Sequence, residues 1–238
     1  MIIPDMKPLV VIPTYNEAEN LPLLIPPLFE AVPECVHVMI VDDSSPDGTA
    51  DVARELASHY PGRMMVEVRP EKGGLASAYI RAFVWGMSNG YDRFVEMDAD
   101  MSHDPAVLRQ MLIESVTSDV VIGSRNVPGG CVIGWEPYRN FLSKFGSWYS
   151  RMVLGCPIRD LTGGYNLWTK RALRQIDMAH ILSQGYFFQV EMKYRAYRKK
   201  LRIKEIPITF TDRKFGSTKM TLKIVLEALL RVWQLRFS

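Results

Sequence analysis

The sequence is poor in the features that mark several special classes of protein. Cysteine is scarce, with 3 in 238 residues, an odd number that lacks the paired spacing of a zinc site: Cys35, Cys131 and Cys156. Neither a disulfide framework nor a structural zinc site is indicated, and we expect a reducing compartment. No apolar run reaches about 18 residues, and no basic and then apolar leader precedes the first strand, so we predict neither a transmembrane helix nor a secretory signal.

Repeats, low-complexity segments and flexible linkers are also missing. The chain is long enough for one sizeable domain, and its 47% apolar and 23% charged residues are ordinary for a folded protein. Intrinsic disorder is therefore disfavoured, and we predict a single domain over residues 1–238.

Charge is unevenly distributed, although the formal net charge is only +3. Residues 198–238 contain 11 Lys and Arg against 3 Asp and Glu, whereas residues 1–197 contain 18 against 23. A basic C-terminal segment favours an anionic partner. The alternative is a solvated helix face, which is the more common origin of such charge runs.

Short β-type runs alternate with helical patterns through the first half of the chain. The predicted strands are 9–13, 36–41, 64–68, 93–98 and 120–122, and the predicted helices are 18–31, 49–59, 75–88 and 105–114. This alternation predicts an α/β fold with a doubly wound, mostly parallel sheet flanked by helices.

Two acidic stretches directly follow predicted strands. They contain Asp42 and Asp43 after the second strand, and Asp98 and Asp100 after the fourth. In an open α/β sheet, ligands bind outside the carboxyl ends of the strands, so these carboxylates are expected to face a crevice. Acidic clusters in that place predict a site for a metal ion and a nucleotide.

Two amphipathic helices are predicted after about residue 130, at 140–154 and 218–237. The first carries an unusually aromatic face made of Phe141, Phe145, Trp148 and Met152. The second sets a polar stripe that includes Lys223 and Arg231 against an apolar face that includes Trp233. Such a pattern is typical of a helix in a membrane interface, and equally of a packed C-terminal helix.

Several motifs resemble those of one enzyme family. They are Pro13-Thr14-Tyr15-Asn16-Glu17, residues 41–49, Gly73-Gly74-Leu75, Asp98-Ala99-Asp100, Gly123-Ser124-Arg125, and residues 160–165, 185–192 and 213–220. In this order, over nearly the whole chain, they resemble the polyprenol (dolichol) phosphate mannosyltransferases of glycosyltransferase family 2. The resemblance implies a GT-A fold, with a nucleotide-sugar half over about 1–127 and an acceptor and membrane-facing half over about 128–238.

The resemblance also implies the reaction. Mannose would pass from GDP-mannose to a polyprenyl or dolichyl monophosphate with inversion, giving a β-linked lipid mannosyl donor. The acceptor needs no general base, because a phosphate monoester has a second pKa of about 6 and is already nucleophilic at neutral pH. Arginine and lysine are suited to hold the two anions together.

For the cofactor, the resemblance implies a divalent cation, Mg²⁺ or Mn²⁺, held by Asp100 against the donor diphosphate. Asp98 is then expected to orient the nucleotide sugar or a metal-bound water. Ser102 stands where some relatives carry Gln; because a hydroxyl is a weaker ligand, we expect it to contact the metal directly or through water. The alternative for Asp100 is a cap of the helix that begins near Pro105.

For the substrates, the resemblance implies a set of residues around each. The nucleotide-sugar set is Pro13, Tyr15, Glu17, Ile40, Asp42, Asp98, Ala99, Asp100, Arg125, Arg213 and Lys219. The acceptor-phosphate set is Arg125, Arg139 and Ser143, and the catalytic set is Asp100, Arg125 and Arg139. A mobile loop at residues 216–218 is expected to bring Arg213 and Lys219 over the diphosphate.

A polyprenyl acceptor resides in a bilayer, which favours the interfacial interpretation of both amphipathic helices. We therefore expect a cytoplasmic protein, peripheral on the cytoplasmic face of a membrane, docked by residues 140–154 and 218–237 or through a membrane-anchoring subunit. No nucleic-acid partner is expected. Charge reversal at Lys223 and Arg231 is expected to weaken liposome binding, since a basic residue near anionic lipid contributes about 1 kcal/mol.

Two alternative functions stay open, and a third is disfavoured. A sister transferase would use UDP-glucose or another nucleotide sugar with the same lipid, because pocket contacts set the identity of the sugar. A catalytically silent membrane-binding module would keep the fold as a scaffold, although the intact acidic and basic residues argue against it. A processive polysaccharide synthase is disfavoured, because the sequence has no Gln-x-x-Arg-Trp motif.

Overall fold

Strands and helices alternate along the chain. The structure, a computed structural model, describes residues 6–181, 185, 187–212 and 222–237, with side chains over the same ranges except 222–229. The strands are β1 (Pro8–Thr14), β2 (His37–Asp42), β3 (Met64–Val68), β4 (Arg93–Glu96), β5 (Val120–Ser124), β6 (Cys131–Ile133), β7 (Asn166–Thr169), β8 (Ile203–Pro207) and β9 (Thr209–Thr211).

Helices connect most of these strands. They are α1 (Leu21–Ala31), α2 (Thr49–His59), α3 (Leu75–Ser88), α4 (Val107–Glu114), α5 (Pro137–Leu154), α6 (Lys170–Gln175), α7 (Phe187–Arg198) and α8 (Leu222–Phe237). Two aspartates stabilise the turns that lead into helices: Oδ1 of Asp47 accepts from the N–H of Thr49 at 3.0 Å, and Oδ1 of Asp104 accepts from the N–H of Ala106 at 2.9 Å. The N-cap residues themselves are Gly48 for α2 and Ala106 for α4. None of the described helices is both long and apolar enough to cross a bilayer.

Seven strands form one sheet in the order β3-β2-β1-β4-β7-β5-β8, and β6 pairs with β9 in a separate ribbon. The pairs β1 with β2, β1 with β4, β2 with β3 and β5 with β8 are parallel. Strand β7 is antiparallel to both of its neighbours, β4 and β5. The predicted mostly parallel sheet is therefore confirmed, with one antiparallel strand inserted that the sequence pattern did not indicate.

The predicted elements of the first half are present, with shifts at their ends. Strand β4 ends at Glu96 and not at Asp98, because the backbone N–H of Asp98 donates to the His103 ring at 3.0 Å instead of continuing the ladder. Helix α1 begins at Leu21 and α4 at Val107, two to three residues later than predicted. The two amphipathic helices are present as α5 and α8, although residues 218–221 of the second lie outside the described residues.

Apolar side chains cover both faces of the sheet. Because successive side chains of a strand point to opposite faces, Leu9 and Val11 join one core cluster, whereas Val10 and Ile12 join the other. The first cluster also contains Phe83, Phe94, Trp168 and Phe188. The second also contains Leu24, Ile25, Ile40 and Leu112. With both faces covered, the carboxyl edge of the sheet is where a ligand can enter.

Gly86 lies in α3 at a place where a methyl group would collide with the core. A Cβ there would lie 2.6 Å from Cε1 of Phe94 and 2.9 Å from Cδ2 of Leu9. We expect Gly86→Ala to lower the free energy of unfolding by about 1–3 kcal/mol through overpacking, although alanine favours a helix. Chemical denaturation followed by circular dichroism measures the change.

Gly146 provides the matched control, because it also lies inside a helix, α5. A Cβ at Gly146 meets no atom of the described residues within 4 Å. Gly146→Ala is therefore expected to raise the free energy of unfolding by up to about 1 kcal/mol through helix propensity alone. Equal effects of the two substitutions would contradict the overpacking explanation.

Candidate active site

The carboxyl edge of the sheet gathers side chains from both halves of the chain. Tyr15, Asp43 and Arg125 directly follow β1, β2 and β5, and Asp98 lies two residues beyond β4. Because β7 runs antiparallel, the segment before it, residues 160–165, arrives at the same edge. Donor-side acids and later residues of the chain therefore meet at one place.

The segment after β4 folds back around His103. Nδ1 of His103 accepts from the backbone N–H of Asp98 at 3.0 Å, and its ring stacks on Tyr165 with centroids 4.7 Å apart. Burial lowers the pKa of His103 to about 4, so the ring is neutral near pH 7. Its proton then lies on Nε2, which is 3.8 Å from Oδ2 of Asp98. The His103 ring thus fixes the turn that carries Asp98 and Asp100.

The oxygen atoms of this turn fit a hard divalent cation. Asp100 is 8% exposed and its Oδ1 accepts from the N–H of Ser102 at 3.1 Å, while the Asp98 side chain is 39% exposed. Among the described residues, the buried Oγ of Ser102 has no hydrogen-bond partner, which makes it available to a metal ion or a water.

Within the residues that the structure describes, no group of three or more His, Cys, Asp or Glu lies in metal-binding geometry. A Mg²⁺ site needs only one or two carboxylates from the protein when substrate phosphates and waters complete its coordination shell.

Arg125 is held by a buried ion pair. Its Nε and Nη2 donate to the two carboxylate oxygens of Asp160 at 2.8 and 2.7 Å, and its backbone N–H donates to Oδ2 at 2.9 Å. Burial would raise the pKa of Asp160, but the charge and hydrogen bonds of Arg125 lower that pKa well below its usual range. This two-point contact fixes the plane of the guanidinium.

Trp135 brings the two predicted acceptor arginines together. The guanidinium carbon of Arg139 lies 4.1 Å from the Trp135 ring centroid, and that of Arg125 lies 5.7 Å from it. Nη1 of Arg139 donates to Oδ1 of Asp212 at 2.9 Å, and the same oxygen accepts from Nε1 of Trp135 at 3.2 Å. The end of β5 and the first turn of α5 thus present two cations beside one aromatic ring.

Three further residues predicted around the phosphates are only partly placed. Ser143 is half-buried on α5, one turn after Arg139. Arg213, Lys219 and the loop at 216–218 lie outside the described residues. Their roles stay predictions.

The residues predicted around the nucleotide sugar fall into two groups. Those that are half-buried at the rim of the edge are Pro13, Tyr15 and Glu17. The backbone N–H of Glu17 donates to Oγ1 of Thr49 at 2.9 Å, which ties the rim after β1 to the first residue of α2.

The second group lies beneath the surface. Asp42 is fully buried, and its carboxylate accepts from Oγ1 of Thr14 at 2.9 Å and from the N–H and Oγ of Ser45 at 2.9 and 2.6 Å. Ile40 is fully buried in the core, and Ala99 is 3% exposed. In this structure Asp42 supports the loop after β2, and its predicted contact with the nucleotide stays a prediction.

Asp43 and Arg69 form a second buried ion pair, which anchors the loop at residues 69–74 between β3 and α3. Nη2 of Arg69 donates to the carbonyl of Gly74 at 3.1 Å, and Nη1 donates to Oγ of Ser77 at 2.7 Å. Oδ2 of Asp43 accepts from the N–H of Gly74 at 3.1 Å. Both ends of the loop are therefore fastened to one carboxylate.

Buried polar side chains lie behind the site. Nδ2 of Asn166 on β7 donates to Oε2 of Glu96 on β4 at 2.6 Å. Nζ of Lys193 on α7 donates to the carbonyls of Asp160 and Gly163 at 2.9 and 2.7 Å. Burial raises the pKa of Glu96 to about 7 and lowers the pKa of Lys193 to about 8. These bonds hold the segment before β7, and with it the partner of Arg125, against the centre of the sheet.

Sequence reasoning missed the roles of several of these residues. Asp160 lies inside a motif that is visible in the sequence, but its partner Arg125 is distant in the chain. His103 follows the Asp98-Ala99-Asp100 motif, and its contact with Asp98 depends on the turn between them. Arg69 and Lys193 carry no comparable signal, because only the packed structure shows that their charges are buried.

Comparison with known proteins gives the family. The model of glycosyl transferase family 2 matches residues 9–177. Polyprenol monophosphomannose synthase of Mycolicibacterium smegmatis is 44% identical over 236 residues, which is 98% of this chain and 89% of that protein. Undecaprenyl-phosphate mannosyltransferase of Micrococcus luteus is 48% identical over 227 residues, which is 95% of this chain and 93% of that protein.

Solved structures share the fold at low sequence identity. Glucosyl-3-phosphoglycerate synthase from Mycobacterium tuberculosis, in complex with Mn²⁺, UDP and glucosyl-3-phosphoglycerate, has a TM-score of 0.69 and 16% identity over 97% of this chain and 78% of that one. The mannosyltransferase PcManGT from Pyrobaculum calidifontis, in complex with GDP-Man and Mn²⁺, has a TM-score of 0.60 and 16% identity over 97% and 73%. These similarities confirm a GT-A-like α/β fold, and the sequence matches show that the chain belongs to glycosyltransferase family 2.

Proposed function

We propose that this protein transfers mannose from GDP-mannose to a polyprenyl or dolichyl monophosphate, with inversion at the anomeric carbon. The observation that carries the proposal is that Asp98 and Asp100 lie at the same sheet edge as the paired cations Arg125 and Arg139. Two relatives, 44% and 48% identical, are named a polyprenol monophosphomannose synthase and an undecaprenyl-phosphate mannosyltransferase, which supports it. The product is polyprenyl phosphate β-mannose, a lipid-linked mannosyl donor.

On the donor side, Asp100 is the proposed ligand of Mg²⁺ or Mn²⁺, with Ser102 contacting the ion directly or through a water. Such an ion, when bound, neutralises the charge that develops on the leaving diphosphate. Structural neighbours in complex with Mn²⁺ support this assignment. Asp98 orients the sugar, and Tyr15 and Glu17 hold the base and ribose.

On the acceptor side, Arg125, Arg139 and Ser143 hold the monophosphate. The phosphate is largely dianionic at neutral pH, so it attacks without a general base, and the protein needs only to hold two anions together. The Asp160 contact orients Arg125 but consumes part of its hydrogen-bonding capacity, which leaves Arg139 as the more adaptable cation. Arg213 and Lys219 are proposed to close over the diphosphate.

In this proposal, residues 1–127 mainly bind the nucleotide sugar and residues 128–238 mainly bind the acceptor. The seven-stranded sheet takes β1 to β5 from the first part and β7 and β8 from the second. We propose that the two parts form one functional domain, because neither part contains both the acidic turn after β4 and the arginine pair.

A membrane surface is the proposed partner of α5 and α8. Helix α5 packs against the core through Tyr149, Val153 and Leu154. The side of α5 that faces away from the core carries Phe141, Phe145, Trp148 and Met152, which are all exposed. Trp148 is 54% exposed and Met152 is 67% exposed. An ordinary surface helix has one apolar face, which it buries, so this second, exposed apolar side of α5 is unusual.

Helix α8 extends the same surface. It packs on α5 through Nε1 of Trp233, which donates to the hydroxyl of Tyr149 at 2.8 Å, and Trp233 stacks on Phe237. Leu230 is 69% exposed and Phe237 is 80% exposed. Contiguous exposed aromatics of this kind suit the lipid interface.

We propose a peripheral location on the cytoplasmic face of a membrane, where the lipid acceptor and GDP-mannose can both be reached. A membrane-anchoring subunit remains part of this proposal as an additional partner, and no nucleic acid is involved. The side chain of Lys223 lies outside the described residues, so the effect of its charge reversal on liposome binding stays a prediction.

Removing exposed aromatics from α5 should weaken membrane binding. We expect the double variant Phe141→Ser and Trp148→Ser to reduce the partition coefficient to vesicles of phosphatidylcholine and phosphatidylglycerol by about tenfold or more, because each side chain loses apolar contact with the lipid. Vesicle co-sedimentation of the purified protein measures the coefficient.

The matched control replaces two exposed apolar side chains elsewhere, Leu23→Ser on α1 and Val84→Ser on α3, which are 42% and 50% exposed. These changes should leave vesicle binding as it is in the unaltered protein. Equal losses in both double variants would show that general surface hydrophobicity, and not the α5 face, drives binding.

The experiment that tests the proposed function measures transfer of radiolabelled mannose from GDP-mannose into organic-extractable lipid. Purified protein is incubated with polyprenyl phosphate and Mg²⁺, with parallel reactions that contain labelled UDP-glucose or a chelator. Label from GDP-mannose that is lost with the chelator supports the proposal. Label from UDP-glucose alone would assign the sister transferase, and no label from either donor would favour a silent scaffold or a missing partner subunit.

A further inference from the structure

Lys72 covers the ring of Tyr15 at the nucleotide end of the site. Its Nζ lies 3.3 Å from the centroid of the Tyr15 ring, and Lys72 is otherwise exposed. An ammonium over an aromatic face is attracted by the ring quadrupole, with little cost when the cation stays partly hydrated. Lys72 therefore occupies a place where a planar group could stack on Tyr15.

The backbone under Lys72 is well anchored. The loop at residues 69–74 is fastened at both ends, because Arg69 pairs with Asp43 and the N–H of Gly74 donates to the same carboxylate at 3.1 Å. A Cβ at Gly73 would lie 2.8 Å from Nη1 of Arg69, so the loop backbone passes close to the ion pair. The backbone of Lys72, between these two anchored ends, is thus held in a defined position beside the carboxyl ends of β2 and β3.

We propose that Lys72 contacts the nucleobase and selects a purine that carries a 6-oxo group. The inference rests on the proposed function, in which Tyr15 holds the base of GDP-mannose. When a base stacks on Tyr15, Nζ of Lys72 moves from the ring face to the edge of the base. Lys72 is then a specificity-determining residue, not a catalytic one.

The donor and acceptor pattern of the bases gives this position its selectivity. Guanine presents two acceptors, O6 and N7, on one edge, whereas adenine presents N7 beside an N6 amino donor. An ammonium has only donors, so it forms hydrogen bonds with the guanine edge and meets a second donor on adenine. The carboxylate of Glu17, two residues after Tyr15, is the proposed acceptor for the N1–H and N2–H of guanine, and Nδ2 of Asn20 donates to its Oε2 at 2.6 Å. Lys72 and Glu17 would then contact opposite sides of the same base.

Lys7 supplies a matched control within the same chain. Its Nζ lies 4.6 Å from the ring centroid of Tyr91, which repeats the lysine and tyrosine contact at the opposite end of β1. Lys7→Met therefore removes an exposed ammonium from a tyrosine ring without touching the carboxyl edge.

The test measures dissociation constants for GDP, IDP and ADP by calorimetry in the presence of Mg²⁺. The proteins are the unaltered chain, Lys72→Met, Lys72→Arg and Lys7→Met. IDP keeps O6 and N7 but lacks the 2-amino group, so it separates the proposed contact of Lys72 from that of Glu17. We expect Lys72→Met to weaken the binding of GDP and IDP by about tenfold and to leave the binding of ADP unchanged. Lys72→Arg should bind all three nucleotides about as the unaltered chain does.

Transfer kinetics give an independent readout. Because the contact is made equally in the ground state and the transition state, Lys72→Met should raise KM for GDP-mannose and leave kcat unchanged. An equal loss of affinity for GDP, IDP and ADP would overturn the inference, since Lys72 would then contact the diphosphate that all three share. Unchanged binding of all three would overturn it too. In either case, if the unaltered chain binds GDP more tightly than ADP, GDP-mannose stays the proposed donor. If it does not, the result counts against the proposed function itself.

Discussion

Asp100→Asn is expected to reduce mannose transfer by about 100-fold or more. The substitution keeps the size of the side chain but removes the negative charge that a hard divalent cation prefers, and even partners of metal ligands cost about 10- to 100-fold when replaced. Asp100 is 8% exposed and its Oδ1 accepts from the N–H of Ser102, so the position of its carboxylate is well defined. Initial transfer rates over a Mn²⁺ titration measure the effect.

Asp104→Asn is the control for this experiment. It is the same substitution four residues later, in the turn before α4, where Oδ1 accepts from the N–H of Ala106 at 2.9 Å. The side-chain oxygen of asparagine can accept the same hydrogen bond in such a turn, so transfer and stability should both stay near those of the unaltered protein. A normal transfer rate in Asp100→Asn at limiting metal would remove Asp100 from the metal site.

Asp160→Asn is expected to lower the free energy of unfolding by about 3–5 kcal/mol. Asp160 is fully buried and makes two side-chain bonds and one backbone bond to Arg125, so the amide leaves a buried guanidinium without its counter-charge. Transfer should fall as well, because Arg125 loses the contact that orients it. Urea denaturation at pH 7 measures the stability, and the transfer assay at a temperature where the variant is folded measures the activity.

An exposed ion pair provides the contrast. Nη1 of Arg54 lies 2.6 Å from Oδ1 of Asp51, and their side chains are 57% and 85% exposed. Solvent screening leaves such pairs with little net contribution, so Asp51→Asn should change stability by less than about 1 kcal/mol. If Asp160→Asn were as mild as Asp51→Asn, the buried pair would not be the element that holds the segment before β7.

The fold of the first half follows closely from the sequence. Regular alternation of apolar runs and helical patterns up to residue 122 locates β1 to β5 and α1 to α4 to within a few residues. Each of these elements is amphipathic or apolar by itself, so its pattern is visible without knowledge of its neighbours. The end of β4 and the start of α4 are less predictable, because they depend on the ring of His103 and on the turn that contains Asp104.

The second half depends on contacts that have no local pattern. Strand β7 has only four residues, Asn166–Thr169, and all are buried, so neither its length nor an alternation marks it as a strand. Helix α7 buries Gln189, Glu191 and Lys193, which a hydrophobic pattern would place at the surface. One hydrogen bond joins the two elements, because Nδ2 of Asn166 on β7 donates to Oε1 of Gln189 on α7 at 2.9 Å.

The candidate site divides in the same way. The sequence by itself determined the family, the acidic turns after β2 and β4, and the arginines that a phosphate acceptor requires, since motifs keep their residues at fixed spacing. Only the tertiary structure decided that Asp160 orients Arg125, that Trp135 joins Arg125 to Arg139, and that the aromatic side of α5 points outward. These contacts form only when the antiparallel β7 lies between β4 and β5 and brings distant segments of the chain together. Burial then fixes the charge and the orientation of each group.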